Sequence, residues 1–327
     1  MAVKLPLRVA FCGSPDFAAT CLTALLARPD LVQVVAAVSQ PDKPAGRRRQ
    51  LLAPAVKQLA VRHGLPIFQW RKLRDGTARA ALEALGLDLM VVAAYGRILP
   101  PALLAVPRLG CLNVHASLLP AWRGASPIQH ALLAGDRQAG VSLMLMDEGL
   151  DTGPVVARRA LEVDAADTGA SLTAKLAALG AELLCDALPA FAAGELAPVP
   201  QPLTGVSHAG LLGKDMGELD FARPAAALER QVRAFCPWPG SYVTFEGQRV
   251  AVLSARCLPL ATPAPAGTVV QAGTDGLLVA CGDGGLCIDR VKPAGRNEMS
   301  AAAWIAGRGP KTRATLVAHG PAGAPSG

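Results

Sequence analysis

Along the first 200 residues, short apolar runs alternate with segments whose apolar positions recur every three or four residues, the pattern of β-α-β units on a parallel sheet. Leu7–Cys12 predicts a buried strand that Gly13-Ser14-Pro15-Asp16 breaks, and Phe17–Ala27 predicts a helix with Ser14 or Asp16 placed to cap its N-terminus. Val32–Val38 predicts the second strand. Gln40–Arg49, with two prolines, a glycine and three adjacent arginines, predicts an exposed loop. Further helices are expected near 54–63, 77–85, 127–134 and 170–193. Strands are expected at Ile67–Phe68, Leu89–Ala93, Cys111–His115 and Val141–Met146.

The pattern then changes. Gly194–Gly205 holds Pro198, Pro200 and Pro202 and predicts a linker, because proline removes a backbone donor and favours extended chain. Beyond a helix near 225–235, β-like runs at Ser241–Phe245, Val250–Ala255, Gly267–Ala272, Leu277–Ala280 and Leu286–Val291 alternate with glycine-bearing turns, the form of a small barrel. The expected organisation is a doubly wound, mostly parallel, Rossmann-like α/β domain over 1–193, a linker over 194–206, an OB-like β-barrel over 207–316 and a disordered tail over 317–327.

A chain of 327 residues has room for two domains of about 100–200 residues each. It holds no uninterrupted apolar run of about 18 residues, and Met1–Leu7 leads almost directly into the first strand, so no membrane span, signal peptide or transit peptide is expected. The eight cysteines are scattered without a Cys-x-x-Cys pair, and His63, His115, His130, His208 and His319 show no ligand spacing. Neither zinc nor metal-dependent hydrolysis is indicated, and the thiols read as reduced, mostly buried residues of a cytoplasmic protein. Of the net charge of +7, residues 1–206 hold 20 Lys/Arg against 16 Asp/Glu and residues 207–327 hold 12 against 9. This leaves room for a polyanionic partner without requiring one. Arg47-Arg48-Arg49 is more local, since adjacent guanidinium groups repel unless solvent or phosphate intervenes.

Candidate chemistry gathers in Cys111–Pro120. Residues two apart in a strand share a face, so Asn113 and His115 project together at the end of a parallel strand, where open α/β sheets place ligands. Asp151, in Gly149-Leu150-Asp151-Thr152-Gly153, lies in a glycine-flanked loop able to return its carboxylate to the same edge. Such a group suits acyl-type transfer without a metal: an imidazole relays a proton, a carboxylate orients it, and a carboxamide donates to an oxygen that becomes negative. Taken alone, an Asn-x-His pair is more often a satisfied polar pair and Asp-Thr-Gly a turn, so the residues by themselves leave both readings open. A dinucleotide site is disfavoured: Gly-x-Gly-x-x-Gly is absent, and Ser39-Gln40 stands where an acidic residue would end the second strand.

The strings Asn113-Val114-His115-Ala116-Ser117-Leu118-Leu119-Pro120 and Trp122-Arg123-Gly124-Ala125-Ser126-Pro127-Ile128-Gln129 closely resemble the signature of folate-dependent formyltransferases. Phe11–Ala18, Gln40–Arg47, Ala94–Pro100, Met146–Gly153, Arg233–Pro239 and Pro293–Arg296 carry the resemblance over about residues 7–305, toward the branch that acts on initiator methionyl-tRNA. The resemblance implies that Asn113, His115 and Asp151 form the catalytic group and that Ser117, Leu118, Leu119 and Pro120 lie against the tetrahydrofolate. It implies that Tyr95, Gly96, Arg97, Ile98 and Leu99, with the loop before Asp151, line the pterin pocket. It also implies that the loop bearing Lys43, Arg47, Arg48 and Arg49 reaches the acceptor end of the tRNA, which accords with the needs of phosphate contact. The donor would be 10-formyltetrahydrofolate, with no metal, and the protein a cytoplasmic monomer with no membrane association. A small-amine acceptor, such as an amino sugar or ribonucleotide, is the alternative. The chain departs from the family pattern at Arg48-Arg49-Gln50, at His208, Gly210 and Leu211, and at Phe221.

Overall fold

The structure, a computed structural model, describes residues 5–45, 50–307 and 309–316. The described residues form two compact units, one drawn from 5–127, 137–163 and 172–210 and the other from 128–136, 164–171 and 211–316.

The first unit begins with β1 (Leu7–Gly13), α1 (Asp16–Leu26) and β2 (Val32–Val38). Leu7, Val9, Ala10, Phe11 and Cys12 are all fully buried, as a parallel strand covered on both faces requires. A Cβ on Gly13 would lie 2.5 Å from the Ala18 Cβ and 2.6 Å from the Ala93 carbonyl oxygen, so only glycine lets the strand end, α1 and the neighbouring strand meet this closely. Helix α1 starts without the expected side-chain cap: Pro15 precedes it, and the Ser14 hydroxyl instead accepts the Gln40 backbone N–H at 3.1 Å. The segment expected as a plain loop contains a short antiparallel pair, β3 (Lys43–Ala45) with β4 (Gln50–Leu52).

The chain continues through α2 (Ala55–Arg62), β5 (Ile67–Phe68), α3 (Thr77–Glu83), β6 (Leu89–Ala93), α4 (Pro101–Leu104), β7 (Cys111–His115), β8 (Arg123–Gly124) and α5 (Pro127–Ala134). It then forms β9 (Gln138–Leu145), β10 (Val155–Glu162), α6 (Gly169–Ala193) and β11 (His208–Ala209). The main sheet has the order β10-β9-β7-β6-β1-β2-β5. β5, β2, β1, β6 and β7 are parallel, whereas β9 is antiparallel to β7, and β10 to β9. The sheet is therefore mostly parallel with an antiparallel margin, and the loops after β1, β2, β5, β6 and β7 all leave one edge.

Sequence reading had no strand at 155–162, although burial there alternates residue by residue after Val156, as in an edge strand with one solvated face. The 25-residue α6 is long and apolar enough to cross a membrane by length and composition alone, yet 61% of its most apolar window is buried within the protein, with Leu172, Leu176, Leu184 and Leu188 at 0% exposure. It is a core helix. The segment 194–206, expected as a linker, is tied to β10 by paired backbone bonds between Val199 and Val155 of 2.8 and 2.9 Å.

In the second unit a 3-10 turn (Asp215–Gly217) and α7 (Ala225–Ala234) precede β12 (Ser241–Phe245), β13 (Gln248–Leu258), β14 (Val269–Gly273), β15 (Gly276–Ala280), β16 (Gly285–Pro293), β17 (Met299–Ser300) and α8 (Ala301–Gly307). The strands expected in a small barrel form an antiparallel sheet, β12-β13-β16-β15-β14, with β17 beside β16. Leu228 and Val232 of α7 and Trp304 and Ile305 of α8 join Val252, Val269, Leu277, Leu286 and Ile288 in one apolar core.

Candidate functional site

The carboxyl end of β7 and two loops of the first unit build the polar centre. Leu112 and Val114 pack into the core, and the alternate positions place Asn113 and His115 on the other face, 8% and 6% exposed. Asp151 joins them from the loop between β9 and β10. The Asn113 amide nitrogen Nδ2 donates to Asp151 Oδ1 at 3.4 Å, and His115 Nδ1 lies 3.7 Å from Asp151 Oδ2. The carboxamide, imidazole and carboxylate expected to converge are thus side by side, across 38 residues of chain.

Asp151 is held on several sides. Its Oδ2 accepts the Gly124 backbone N–H at 2.8 Å. The Gln201 side-chain amide donates to both the Asp151 and Gly153 carbonyl oxygens at 2.8 Å, while its own oxygen accepts Arg123 Nε at 3.1 Å and Nη2 at 2.8 Å. Asp147 Oδ1 shapes the loop from within, accepting from Gly149 N at 3.0 Å and Thr152 Oγ1 at 2.7 Å. A Cβ on Gly153 would fall 1.7 Å from the Leu145 carbonyl oxygen, which explains glycine at that turn. These contacts hold Asp151 at φ +52°, a left-handed conformation that costs an ordinary residue roughly 1 kcal/mol or more. Ala94 (φ +43°) and Trp122 (φ +59°), in the loops after β6 and β7, share that conformation.

The hydrogen-bond partner of His115 assigns its tautomer. Nε2 lies 3.1 Å from the Trp122 carbonyl oxygen, which can only accept, so Nε2 carries the hydrogen. In the neutral ring Nδ1 is then bare and faces the carboxylate. The Nε2–H is thus engaged by the Trp122 carbonyl, and Nδ1 is the ring nitrogen that faces Asp151. Asn113 uses one of its two amide hydrogens on Asp151, leaving the other as a donor.

The remaining expected contact residues differ in access. Ser117 is buried, its hydroxyl donating to the Ala121 carbonyl at 2.6 Å, and the Ser142 hydroxyl clamps the segment by donating to Ser117 O at 2.7 Å and accepting Leu119 N–H at 3.0 Å. Leu119 is buried against Met144 and Val155, whereas Leu118 and Pro120 are half-buried. Tyr95 and Leu99 belong to an apolar cluster with Cys12, Val92 and Cys111. Burial pushes the Tyr95 phenol up to about 12 and likewise the Cys111 thiol to about 12, so neither is an acid or nucleophile at neutral pH. Gly96 and Ile98 are exposed, and the half-buried Arg97 forks onto the Trp70 and Arg71 carbonyl oxygens at 2.6 and 3.0 Å.

Exposed Ile98 and Leu150 give the loops after β6 and β9 apolar surface of the kind a flat heterocycle such as a pterin would cover, and Asn113 and Asp151 at the end of β7 supply a carboxamide donor and a carboxylate acceptor. The donor set therefore fits a reduced folate. Among the described residues, no three His, Cys, Asp or Glu side chains gather to hold a metal ion. Lys43 is exposed at the start of β3, and Arg47, Arg48 and Arg49 lie outside the described residues, as does the tail from 317.

Sequence reading missed Gln201, Gly124 N–H and Trp122 O. The last two are backbone groups with no side-chain signature, and Gln201 stands 50 residues from the carbonyl it binds. The signature string did mark the backbone around 122–124, without revealing what it does.

The pattern of a family described as "Formyl transferase" matches residues 7–188, and that of "Formyl transferase, C-terminal domain" matches 211–309. A protein of Myxococcus xanthus named methionyl-tRNA formyltransferase is 49% identical over 300 residues, covering 92% of this chain and 95% of the relative. One of the same name from Halorhodospira halophila is 50% identical over 301 residues, covering 92% and 96%. Among solved structures, HypX from Aquifex aeolicus in complex with tetrahydrofolic acid aligns with a TM-score of 0.63 at 17% identity, over 94% of this chain and 48% of that one. WlaRD, a sugar 3N-formyl transferase, aligns with a TM-score of 0.63 at 15% identity, over 90% of this chain and 100% of that one. These two likenesses concern the fold alone.

Proposed function

Because this chain belongs to the formyl transferase family, in both its catalytic and its C-terminal parts, we propose that it moves the formyl group of 10-formyltetrahydrofolate to the amino group of methionyl initiator tRNA. Near-full-length similarity to relatives named for that reaction supports the acceptor. The observation that carries the chemistry is the meeting of the Asn113, His115 and Asp151 side chains at the end of β7.

The unprotonated methionyl amine attacks the formyl carbon, and the carbonyl π electrons move to oxygen. The free amide hydrogen of Asn113 donates to that oxyanion, and a side chain already fixed by Asp151 has little left to reorganise. Asp151 takes the ammonium proton formed on attack, with His115 Nδ1 close enough to hold positive charge beside it. As the intermediate collapses, the C–N bond to the folate breaks and the proton returns to the leaving nitrogen, releasing tetrahydrofolate and formylmethionyl-tRNA. No covalent enzyme intermediate is needed. All these side chains lie in the first unit, so a monomer suffices for the chemistry, and the reaction suits the cytoplasm.

The test is formyl transfer from 10-formyltetrahydrofolate to charged initiator tRNA, elongator methionyl-tRNA and small amines under one set of conditions. Preference for the initiator is expected. Turnover of an amino sugar or ribonucleotide with initiator tRNA left unmodified would overturn the assignment.

A further inference from the structure

The two family patterns match 7–188 and 211–309 and leave 189–210 between them. Within that stretch, residues 201–209 lie along the loop that follows β7, and both segments belong to the first unit. β11 runs parallel to β8, with His208 opposite Arg123 and Ala209 opposite Gly124. Of the four backbone N–H groups from Trp122 to Ala125, three donate into 207–209: Trp122 to Ser207 Oγ at 2.9 Å, Arg123 to the Ser207 carbonyl at 2.9 Å and Ala125 to the Ala209 carbonyl at 2.8 Å. A Cβ on Gly124 would lie 2.5 Å from that Ala209 oxygen, so only glycine lets the two backbones meet this closely.

The same loop holds the catalytic side chains. The Trp122 carbonyl accepts from His115 Nε2 at 3.1 Å, and the fourth N–H, that of Gly124, donates to Asp151 Oδ2 at 2.8 Å. Trp122 sits at φ +59°, a conformation that a non-glycine residue keeps only where its surroundings impose it. Ser207 imposes it from both ends, its hydroxyl taking the Trp122 N–H and its carbonyl the Arg123 N–H. The Arg123 N–H and the Trp122 carbonyl lie in one peptide plane, so the bonds that fix this backbone also aim the oxygen that holds the imidazole.

The side chain at 207 is not needed for the pairing itself. The β8–β11 ladder uses backbone groups and accepts any side chain there. The half-buried Ser207 hydroxyl adds a bond that strand pairing does not supply, and it goes to the residue whose carbonyl holds His115. Six residues earlier, the Gln201 amide binds the Asp151 and Gly153 carbonyls. One stretch of chain thus secures the carboxylate near its start and the imidazole near its end.

We propose that residues 201–209 form a strap that positions the catalytic group, and that Ser207 is a positioning residue acting through Trp122 on the His115 ring. This deepens the reading that Asn113, His115 and Asp151 carry the transfer, and rests on it. Ser207→Ala and Ser207→Thr test it in the full-length protein, by formyl transfer to methionyl-tRNA and by nitrogen NMR of the neutral His115 ring without substrate. The alanine variant should lose on the order of tenfold in kcat with both KM values within about twofold. Its His115 should pass from the single Nε2–H form to a mixture of the two tautomers. Threonine keeps the hydroxyl and should restore both readouts. Wild-type kcat and an unchanged ring signal in the alanine variant would overturn the proposal, even if its melting temperature fell, since Ser207 would then serve the fold alone. A threonine variant no better than alanine would overturn it too, because the hydroxyl would not be the active part. A changed ring signal with kcat unmoved would instead remove His115 from the reaction and sink the functional reading beneath.

Discussion

The loop between β9 and β10 and the segment after β5 border the same sheet, yet their polar groups are used in opposite ways. In the first, Asp151 is cross-linked by Asn113, Gly124 and Gln201 and cannot shift without breaking several bonds. In the second, the backbone is tied down by Arg97, but the cationic side chains are left to solvent. Chemistry at a single carbon needs fixed geometry, because a displacement of about 1 Å can cost on the order of 10² in rate. Attracting an opposite charge needs only roughly the right place and tolerates mobile side chains. The first unit thus carries a cross-linked polar centre and a set of solvated cations on one sheet edge.

The largest effect should come from Asp151→Asn, which keeps the shape and removes the base. Single-turnover formyl transfer should slow by about 10³, with the KM for tRNA within about twofold. A loss below tenfold would move the base elsewhere. Asn113→Ala should follow, with a loss of about 10²–10³, near 3 kcal/mol, as expected for one oxyanion donor. If its turnover stays within about threefold of wild type, the amide has no such role.

Gln201→Leu probes positioning itself. It touches no substrate in this scheme, so kcat should fall by about 10² while both KM values hold. Gln201→Glu still accepts from Arg123 but offers the Asp151 and Gly153 carbonyls no donor, so it should behave like the leucine variant. Glutamate at full activity would show that the Arg123 bond alone matters.

The smallest effect concerns the segment after β2. Hydrogen bonds from Lys57 and then Gln69 hold the Asp42 carboxyl below its ordinary range. A depressed carboxylate contributes stability above the unfolded value and loses it as pH falls through the folded one. Lys57→Met should therefore lower stability by at most about 1 kcal/mol at neutral pH, and the difference should begin to shrink as pH falls below about 4 and be gone once Asp42 is protonated in the folded state, as followed in melting curves. A difference that grew in acid would reverse this assignment.

Much of the first unit was legible because buried parallel strands are continuous apolar runs: Val32–Val38, Leu89–Ala93 and Cys111–His115 stand where the pattern put them. β10 was not read because its alternation is carried by Ala and Arg rather than by large β-formers, and the solvated face of an edge strand imposes little on composition. α4 and α8 were missed as short elements, of four and seven residues. At the site, Asn113 and His115 could be paired from strand periodicity, and Asp151 joined them through the family resemblance and a glycine-flanked turn. Gln201 could not be found this way, since one glutamine among prolines announces nothing until the chain brings it back to β10. The cations at 71–74 were present in the sequence throughout. What singles them out is their crowding into one cavity beside Arg97, which only coordinates reveal.

The left-handed backbone at Ala94, Trp122 and Asp151 has a consequence for anyone seeking a hardier version of this protein. A survey for conformationally costly positions would nominate these three residues for glycine, which adopts a left-handed backbone without steric cost. All three sit at the bends framing the reacting group, so the gain in durability would come from slackening the frame in which the formyl carbon is met. Thermal hardening of this molecule is better sought in the part of the second unit that follows Leu211, 60 residues beyond the last of those bends.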